Sequence, residues 1–421
     1  MAGQMSTGTT AAIGRRNYVV AFAVMTAPFF IWGFVTALND ILIPHLKSAF
    51  DLNYTQAMLV QFCFFAAYLI VSPFAGRLVE RVGYRQGIVF GFLTMAAGCG
   101  LFYPAAEVEV YAIFLAGLFV LAAGITVLQV SANPYVSALG PERTGPSRLI
   151  LAQAINSLGH TLGPVFGASL ILAATVVGTT ASAKAVQAPY LMLAAAMIVF
   201  SIVFMFLRLP VIEEVETRPS PEDQDSIFKH RPLILGALAI FLYVGAEVSV
   251  GSFLVNFFTQ SDIGGLTEEE AGRMVAYYWG AAMIGRFVGA AATRYVAPYL
   301  VLAFNAFVAI SLIATTIVSG GNVAMWTILA VGFFNSIMFP TIFALAIRGL
   351  GPLTGRGSGL LCQAIVGGAV LPVIQGAVAD FTTVQLSFAV PAVCYGYIAW
   401  YALRGQDEST IAVFRKAKAE A

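Results

Sequence analysis

The sequence predicts an all-α polytopic membrane protein, with twelve transmembrane helices arranged in two pseudo-symmetric six-helix bundles. Of the 421 residues, 59% are hydrophobic and 10% are charged, whereas soluble proteins carry about 25% charged residues. Long apolar segments recur along the whole chain, and landmark residues repeat after about 210 positions, as in a duplicated six-helix unit. A chain with so few charged residues cannot cover its own surface in water. We therefore expect lipid to surround much of it.

Twelve segments are long and apolar enough to cross a bilayer. Such a helix needs about 20 mostly apolar residues, and charged or Gly/Pro-rich breaks divide the chain accordingly. The predicted spans lie near residues 18–47, 54–79, 86–104, 110–137, 148–177, 188–208, 232–260, 270–294, 299–319, 322–347, 357–380 and 384–404.

The placement of lysine and arginine predicts the orientation of these spans. If both termini are cytoplasmic, only Lys47, Lys184 and Arg273 of the 22 basic residues fall on the outer side. Cytoplasmic loops carry the excess of basic residues in membrane proteins. We therefore expect a multi-pass protein of the bacterial inner membrane, with both termini in the cytoplasm.

The longest polar stretch divides the chain into two halves. Residues 210–231 are rich in acidic residues and proline, which is typical of a solvated linker. We therefore expect an N-terminal six-helix bundle over residues 1–209, a cytoplasmic linker over 210–231, and a C-terminal bundle with a short tail over 232–421.

The two halves share landmarks at a nearly constant spacing. Leu139-Gly140-Pro141 recurs as Leu350-Gly351-Pro352 (350 − 139 = 211), and Gly76-Arg77 recurs as Gly285-Arg286 (285 − 76 = 209). Two independent landmarks with almost the same offset indicate a duplicated unit. In transporters built from parallel repeats, the substrate site lies between the halves near the bilayer midplane.

Composition and motifs exclude several classes of function. A formal net charge of +1 provides no basic surface for nucleic acid. The four cysteines lie in apolar stretches without CxxC spacing, so neither a disulfide framework nor a metal site is predicted. The sequence contains no phosphate-binding loop and no nucleophile–base pattern. We therefore expect a protein that is not an enzyme and needs no cofactor beyond a coupling ion, H⁺ or Na⁺.

The loop between the second and third spans is short and rich in arginine. Its glycines bound a tight turn, and its charges can latch neighbouring helix ends in one of two states. The alternative is ordinary anchoring by positive charge at the inner surface. The loop resembles the signature loop of the major facilitator superfamily, with Glu80 where aspartate is usual. The expected latch residues are Gly76, Arg77, Glu80, Arg81, Gly83 and Arg85.

Glu247 is the most deeply placed carboxylate in the predicted spans. It follows Arg231 by 16 residues and precedes Asp262 by 15, which is roughly 23 Å along a helix from either charge. A charge at such depth costs about 2.5–3.5 kcal/mol, so it usually marks an ion or substrate pathway. The alternative is a protonated glutamic acid that only hydrogen-bonds a neighbouring helix.

Asp40 is a second carboxylate within an apolar span. It lies seven residues from Lys47, roughly 10 Å along the helix, so its position alone fits either a functional site or the outer interface. Its spacing from Glu247 (247 − 40 = 207) is close to the repeat, which predicts that both carboxylates face one central cavity. We therefore expect Asp40 and Glu247 to be ion-coupling residues.

Amide side chains form stripes on two of the spans. Gln129 and Asn133 are four residues apart, and Gln153, Asn156 and His160 follow at spacings of three and four, so each set shares one helix face. Such side chains either contact a polar ligand or hydrogen-bond neighbouring helices. His45 and His160 are candidate proton relays, although lone histidines are more often structural. The expected substrate-binding set is Trp32, Asn39, Gln129, Asn133, Gln153, Asn156, Asn256, Asn335 and Gln363.

Five stretches resemble the fucose:proton symporter family, which includes a glucose/galactose branch. They occur in the family's order over both halves, so the resemblance covers nearly the whole chain. The resemblance implies the major facilitator fold and the transport of a small-molecule sugar. The stretches are residues 38–44, 131–135, 151–157, 339–345 and 357–361.

The resemblance also implies roles for individual residues. Asp40 matches the aspartate taken to titrate during proton-coupled transport, and Gln153 and Asn156 match residues that line the sugar cavity. Fucose-transporting members carry glutamate in place of Gln129 and glutamine in place of Glu247. The carboxylate has thus moved between helices, a pattern similar to the glucose/galactose branch. Proton and sodium both stay open as the coupling ion.

We therefore expect a monomeric secondary transporter that imports glucose- or galactose-like hexoses together with a cation through alternating access. A drug/proton antiporter is the alternative indicated by residues 159–167, whose glycines and proline are similar to a motif of such exporters. A sugar uniporter and a membrane sensor that binds sugar without moving it are the further alternatives.

Overall fold

A computed structural model describes residues 6–52, 54–167, 183–210 and 227–405 of the chain. These residues are almost entirely helical, and no strand occurs among them. Of the predicted linker, residues 211–226 lie outside the described part.

The helices are numbered here in chain order. Those of the N-terminal half are α1 (Ser6–Ala49), α2 (Tyr54–Val82), α3 (Tyr84–Gly100), α4 (Phe102–Val108), α5 (Tyr111–Ala138), α6 (Gly145–Gly167) and α7 (Gln187–Phe206). Those of the C-terminal half are α8 (Arg231–Phe258), α9 (Glu268–Tyr295), α10 (Pro298–Val318), α11 (Gly321–Asn335), α12 (Met338–Ala346), α13 (Thr354–Gln363), α14 (Gly367–Phe381), α15 (Val384–Ser387) and α16 (Ala389–Arg404).

The described chain contains 10 segments that are long and apolar enough to span a bilayer. Helices α6 and α9 pack among them and complete the predicted twelve. They are less apolar because α6 carries the stripe of Gln153, Asn156 and His160, and α9 carries several charges. The first turn of α9 is held by a capping box, in which Thr267 and Glu270 bond each other's backbone N–H groups.

Prolines explain most of the interruptions within the predicted spans. Because proline has no N–H, the carbonyl four residues earlier loses its helical partner. Helix α3 ends at Gly100, four residues before Pro104, and α15 ends at Ser387, four residues before Pro391. The break between α11 and α12 includes Ser336, four residues before Pro340. Helices α13 and α14 are instead joined by a 3₁₀ turn at Ala364–Val366.

The packing within the two halves has the symmetry that the repeat predicts. Helix α1 packs against α6 as α8 packs against α14, and α2 packs against α5 as α9 packs against α11. Likewise, α3 contacts α5 and α7, while α10 contacts α11 and α16. The repeat landmarks Gly140 and Gly351 both have positive φ, 104° and 51°, which favours glycine at these turns. The two bundles are therefore built on one plan.

In the described part of the chain, the two halves meet mainly through α2 with α13, α5 with α13, α6 with α9, and α6 with α12, and α14 also contacts α2. We call the end of the molecule where α7 ends and α8 begins the linker end. The α2–α3 turn, the α5–α6 loop and the start of α13 lie at this same end because the spans alternate in direction.

Candidate transport site between the two halves

The halves are joined at the linker end by an ion pair between Glu80 on α2 and Arg356 on α13. The Glu80 carboxylate accepts hydrogen bonds from the backbone N–H and from Nε of Arg356, both at 3.0 Å. The two side chains are 10% and 16% exposed. Gly76 lies one turn earlier on α2, and a Cβ there would come within 2.8 Å of the Gly355 carbonyl oxygen. Close contact and a shielded ion pair thus seal this end together.

The predicted latch residues do not all take part in this seal. The charge of Arg77 acts on Glu80 from the same helix. Arg85 instead donates to the carbonyl of Leu207 within the N-terminal half, at 3.3 Å. Gly83 provides the turn between α2 and α3 with a φ of 83°, and no contact across the halves is described for Arg81.

Proline-freed carbonyls supply two further bonds between the halves. Pro73 leaves the carbonyl of Leu69 without a helical partner, and this oxygen accepts a hydrogen bond from Gln363 Nε2 at 3.1 Å. Pro134 does the same for Val130, whose carbonyl accepts a bond from Ser358 Oγ at 2.9 Å. The prolines therefore turn helix carbonyls into docking points for the other half.

Two more contacts between the halves complete this interface. Ser147 Oγ on α6 donates to the carbonyl of Ala290 on α9 at 2.6 Å. Glu142, in the loop before α6, forms an ion pair with Arg348, in the loop after α12. The two ion pairs and the Ser147 and Ser358 bonds lie toward the linker end, so the structure describes a state that is closed at that end.

Glu247 lies at the centre of a polar cluster in the C-terminal half. Its carboxylate accepts a hydrogen bond from Tyr243 OH at 2.7 Å, and its backbone carbonyl accepts one from Tyr278 OH at 3.4 Å. Asn335 Nδ2 donates to the hydroxyl oxygens of Tyr278 and Tyr395, at 2.6 and 3.3 Å. The cluster joins α8, α9, α11 and α16, so a carboxylate that looked isolated along its helix has polar neighbours in space.

Arg286 on α9 is the counter-charge of Glu247. Its Nη2 lies 3.7 Å from the Glu247 carboxylate, and each side chain is 14% exposed. Its Nε donates to the carbonyl of Ser336 at 3.2 Å, an oxygen that Pro340 leaves free. Its Nη1 reaches α6 of the other half, where it bonds Ser157 Oγ and lies 3.4 Å from the carbonyl of Gln153. One side chain therefore links the carboxylate to the amide-bearing helix of the N-terminal half.

The predicted amides of the N-terminal half largely hydrogen-bond within that half. Gln129 Nε2 donates to Tyr68 OH at 2.5 Å, and Gln153 Nε2 donates to Asn133 Oδ1 at 3.5 Å. Asn156 Nδ2 donates to the carbonyl of Phe29 at 2.8 Å. All four amides are buried. Part of their hydrogen-bonding capacity is thus used to fix helices.

Two buried amide atoms in this region make no hydrogen bond within the described part of the chain. Asn133 Nδ2 and Asn335 Oδ1 are buried and have no hydrogen-bond partner there. His160 lies one turn beyond Asn156 on the same helix and is exposed. Unmet donors and acceptors between the halves suit a ligand rich in hydroxyl groups.

The remaining predicted site residues do not gather at one place in the described structure. Trp32 is buried against Phe29, with ring centroids 4.3 Å apart. Asn256 is exposed near the end of α8 and does not join the Glu247 cluster. Asn39 and Asp40 lie on α1, but their side chains fall outside the described part of the structure, as does that of His45.

An apolar groove of about 430 Å³ lies apart from this region, between α9, α10 and α11. It is lined mainly by glycine, aliphatic and phenylalanine side chains, with Asn305 as its amide. The Asn305 amide already bonds the carbonyl of Val301 at 2.8 Å. The groove therefore offers little to a polar substrate.

Sequence reasoning missed Arg286, Tyr278 and Tyr395 as members of the site. Arg286 was used only as a repeat landmark at the end of the eighth span. In the structure, nine residues of α9 follow it, about 13 Å of helix, which places it well inside the span. An arginine so far from a helix end was the available signal, since a membrane arginine needs a partner. The tyrosines carried no such signal.

Comparisons with known proteins agree with this geometry. Residues 20–365 match the sequence model of the Major Facilitator Superfamily. The chain is 57% identical over 397 residues to a glucose/galactose transporter of Brucella abortus, covering 94% of this chain and 96% of that one. It is 34% identical to the L-fucose-proton symporter of Escherichia coli, covering 92% and 93% of the two chains. A crystal structure of the transporter FucP in the outward conformation is similar, with a TM-score of 0.85, 32% identity, and coverage of 93% and 100%.

Proposed function

Because the chain belongs to the major facilitator superfamily, we propose that it is a secondary transporter that imports hexose sugars of the glucose/galactose kind by cation symport. The observation that carries the proposal is the polar region between the halves, in which Arg286 bonds α6 beside Gln153. Transporters built from two parallel repeats hold their substrate at this place. The names of the similar proteins support sugar as the substrate class.

The sugar is proposed to bind among amides from both halves. Asn133 and Asn335 each keep a buried polar atom without a partner in the described chain. Gln153 and Asn156 lie on the helix that Arg286 contacts and that carries the accessible His160. Sugar hydroxyls both donate and accept hydrogen bonds, so they complement such mixed polar groups. The expected substrate set also includes Trp32, Gln129 and Gln363.

Coupling to a proton or a sodium ion is proposed to use Asp40 and Glu247. A carboxylate in the membrane interior is costly as a free charge. Binding a cation to it therefore lowers the free energy of the occluded state. The cation and sugar would enter from the side opposite the linker end, since the described contacts close the linker end. The halves would then rock, and both ligands would leave on the linker side.

The linker side is proposed to be cytoplasmic and the membrane to be the bacterial inner membrane. The distribution of basic residues supports this orientation, because few of them lie at the opposite end. Each polypeptide contains both halves of the site, so a monomer is proposed to be the working unit.

The glycines that indicated the drug/proton antiporter alternative also have a role in packing. Gly159 and Gly163 let α6 approach α1 closely, because a Cβ at either position would meet the carbonyl oxygen of Phe30 or Phe34. Helix packing thus accounts for the glycine pattern that indicated an exporter.

Uptake into proteoliposomes tests the proposal. Labelled D-glucose and D-galactose would be offered with an imposed proton gradient, with a sodium gradient, and with neither. Accumulation above equilibrium under one gradient is expected and would identify the ion. Equilibration alone would indicate a uniporter, and entry of neither sugar would reject hexose transport.

A further inference from the structure

Three basic side chains gather at the linker end of the C-terminal half. Lys229 and Arg231 lie where the chain enters α8, and Arg404 lies in the last turn of α16. All three are exposed, and none has a hydrogen bond or an ion pair within the described part of the chain. Basic side chains just outside the ends of membrane helices lie at the level of the phospholipid headgroups.

Contacts between α8 and α16 bring these cations to one place. Tyr397 OH on α16 donates a hydrogen bond to the carbonyl of Leu235 on α8 at 3.2 Å. Arg231 lies one turn from Leu235 in the direction of the linker end, and it shares the same helix face. Arg404 lies seven residues, or two turns, beyond Tyr397 in that direction, again on the same face. The two guanidinium groups therefore border one seam between α8 and α16.

The seam continues from the cations into an exposed apolar surface. Phe228, next to Lys229, is 72% exposed. Trp400, one turn before Arg404, is also exposed, as is Leu238 two turns into α8. Aromatic side chains with one apolar and one polar neighbour are typical of the boundary between headgroups and acyl chains. A phospholipid at the seam would thus have its acyl chains against apolar side chains and its phosphate beside cations.

We propose that this seam binds a phospholipid whose headgroup carries two phosphate groups, which is the chemistry of cardiolipin. A single phosphodiester has one negative charge and would leave most of the cluster unbalanced. Two phosphates joined by one glycerol can each meet an arginine, Arg231 on α8 and Arg404 on α16, with Lys229 beside them. Arginine binds phosphate through paired N–H groups, and basic pockets between membrane helices suit such headgroups.

The bound lipid would act on the C-terminal bundle and on the end of the linker. It would hold α8 and α16 together where Tyr401 OH already donates to the carbonyl of Pro232 at 3.4 Å. It would also fix the end of the linker at the membrane surface through Lys229. The seam lies wholly within one half, so the inference does not depend on the proposed sugar transport.

Thermal unfolding of the full-length protein in detergent with added lipid tests this inference. Cardiolipin is expected to raise the Tm of wild type, and to do so more than phosphatidylglycerol at equal phosphate concentration. In Arg231→Gln/Arg404→Gln, the half-saturating concentration of cardiolipin is expected to rise at least about tenfold, because both arginine–phosphate contacts are lost. High salt is expected to weaken the wild-type response, since the cations are exposed.

Arg208→Gln/Arg294→Gln is the matched control. It removes the same charge from two exposed arginines at the linker end that lie outside the seam, just beyond α7 and in the last turn of α9. This pair is expected to keep the wild-type response to cardiolipin. An equal loss in both pairs would mean that overall charge attracts the lipid, and it would overturn the proposed site.

The remaining outcomes identify other partners of the seam. Asp225 and Asp407 are close to the cations in sequence but lie outside the described residues. If they paired with the arginines, Arg231→Gln/Arg404→Gln would lower the Tm without lipid and leave the response to cardiolipin intact. A wild-type dimer in detergent that this variant converts to a monomer would place a second copy on the seam. Either result would overturn the inference.

The wild-type protein decides the matter if the double variant fails to fold. Equal stabilisation by cardiolipin and by phosphatidylglycerol, at equal phosphate concentration, would then contradict a site for two phosphates. Hexose uptake has no part in this comparison, so its failure would reject the proposed function and leave the lipid site standing.

Discussion

Ser358 in the C-terminal half donates a hydrogen bond to the carbonyl oxygen of Val130 in the N-terminal half, and Pro134 is the reason that this oxygen is free. A proline in a membrane helix is usually regarded as a kink or hinge. Here Pro134, like Pro73 on α2, gives the opposite bundle an acceptor to bind. Such a bond can form and break as the halves move, because the helix itself never depends on it.

Ser358→Ala is expected to weaken closure at the linker end. One hydrogen bond contributes about 0.5–1.5 kcal/mol, so the ratio of closed to open molecules should fall about two- to tenfold. Spin–spin distances between the linker ends of α5 and α13 measure this ratio. Ser311→Ala is the control, since Ser311 bonds a carbonyl of its own helix on an exposed face. Equal distance distributions in Ser358→Ala and wild type would contradict the assignment.

Gly76→Ala is expected to prevent the halves from closing at the linker end. The added Cβ would come within 2.8 Å of the Gly355 carbonyl oxygen, a backbone atom that cannot turn away. Folding should be preserved, because the clash is with the other half, while hexose uptake should drop at least about tenfold as the closed state becomes costly. Gly396→Ala is the control, since a Cβ there meets nothing within 4 Å. Uptake at the wild-type rate would refute the tight-contact argument.

Glu80→Gln is expected to open the linker end more than Ser358→Ala does. Hydrogen bonds to charged groups contribute about 1.5–3 kcal/mol, so the closed state should lose about ten- to hundredfold in population. Glu80→Asp keeps the charge for Arg356 and should retain most of the closure. The same spin-label distances compare the two variants. If both behaved alike, the charge of Glu80 would not be what holds this end.

Gln129→Leu is expected to destabilise the N-terminal bundle. The substitution leaves the buried hydroxyl of Tyr68 without its partner, which costs about 1–3 kcal/mol. Gln129→Glu should restore part of this stability when its carboxyl group is protonated, because a carboxyl oxygen can accept a hydrogen bond from the tyrosine hydroxyl. Thermal unfolding in detergent, followed with and without D-glucose, measures both effects. A loss of sugar-induced stabilisation without a change in the Tm of the ligand-free protein would show that Gln129 acts on the ligand and not on the stability of the bundle.

Several features were predictable because they depend on local chemistry repeated along the chain. The span count follows from segment length and apolarity, and the recurrence of Gly140 as Gly351 predicts the duplication that the packing displays. The interruptions of the spans were missed, although Pro104, Pro340 and Pro391 signalled them. The reason is that proline inside a membrane helix breaks it at some places and is tolerated at others, as at Pro73.

Hydropathy and residue spacing were enough to predict a duplicated membrane protein of twelve helices with a carboxylate deep in its seventh span, because both are properties of single helices. The groups that face this carboxylate are known only from the folded chain. Arg286 comes from a different helix, 39 positions away in the sequence, and reaches both Glu247 and Ser157. Contacts between helices depend on packing angles and rotations that no single span encodes, so the partner of Glu247 emerged only from the folded chain.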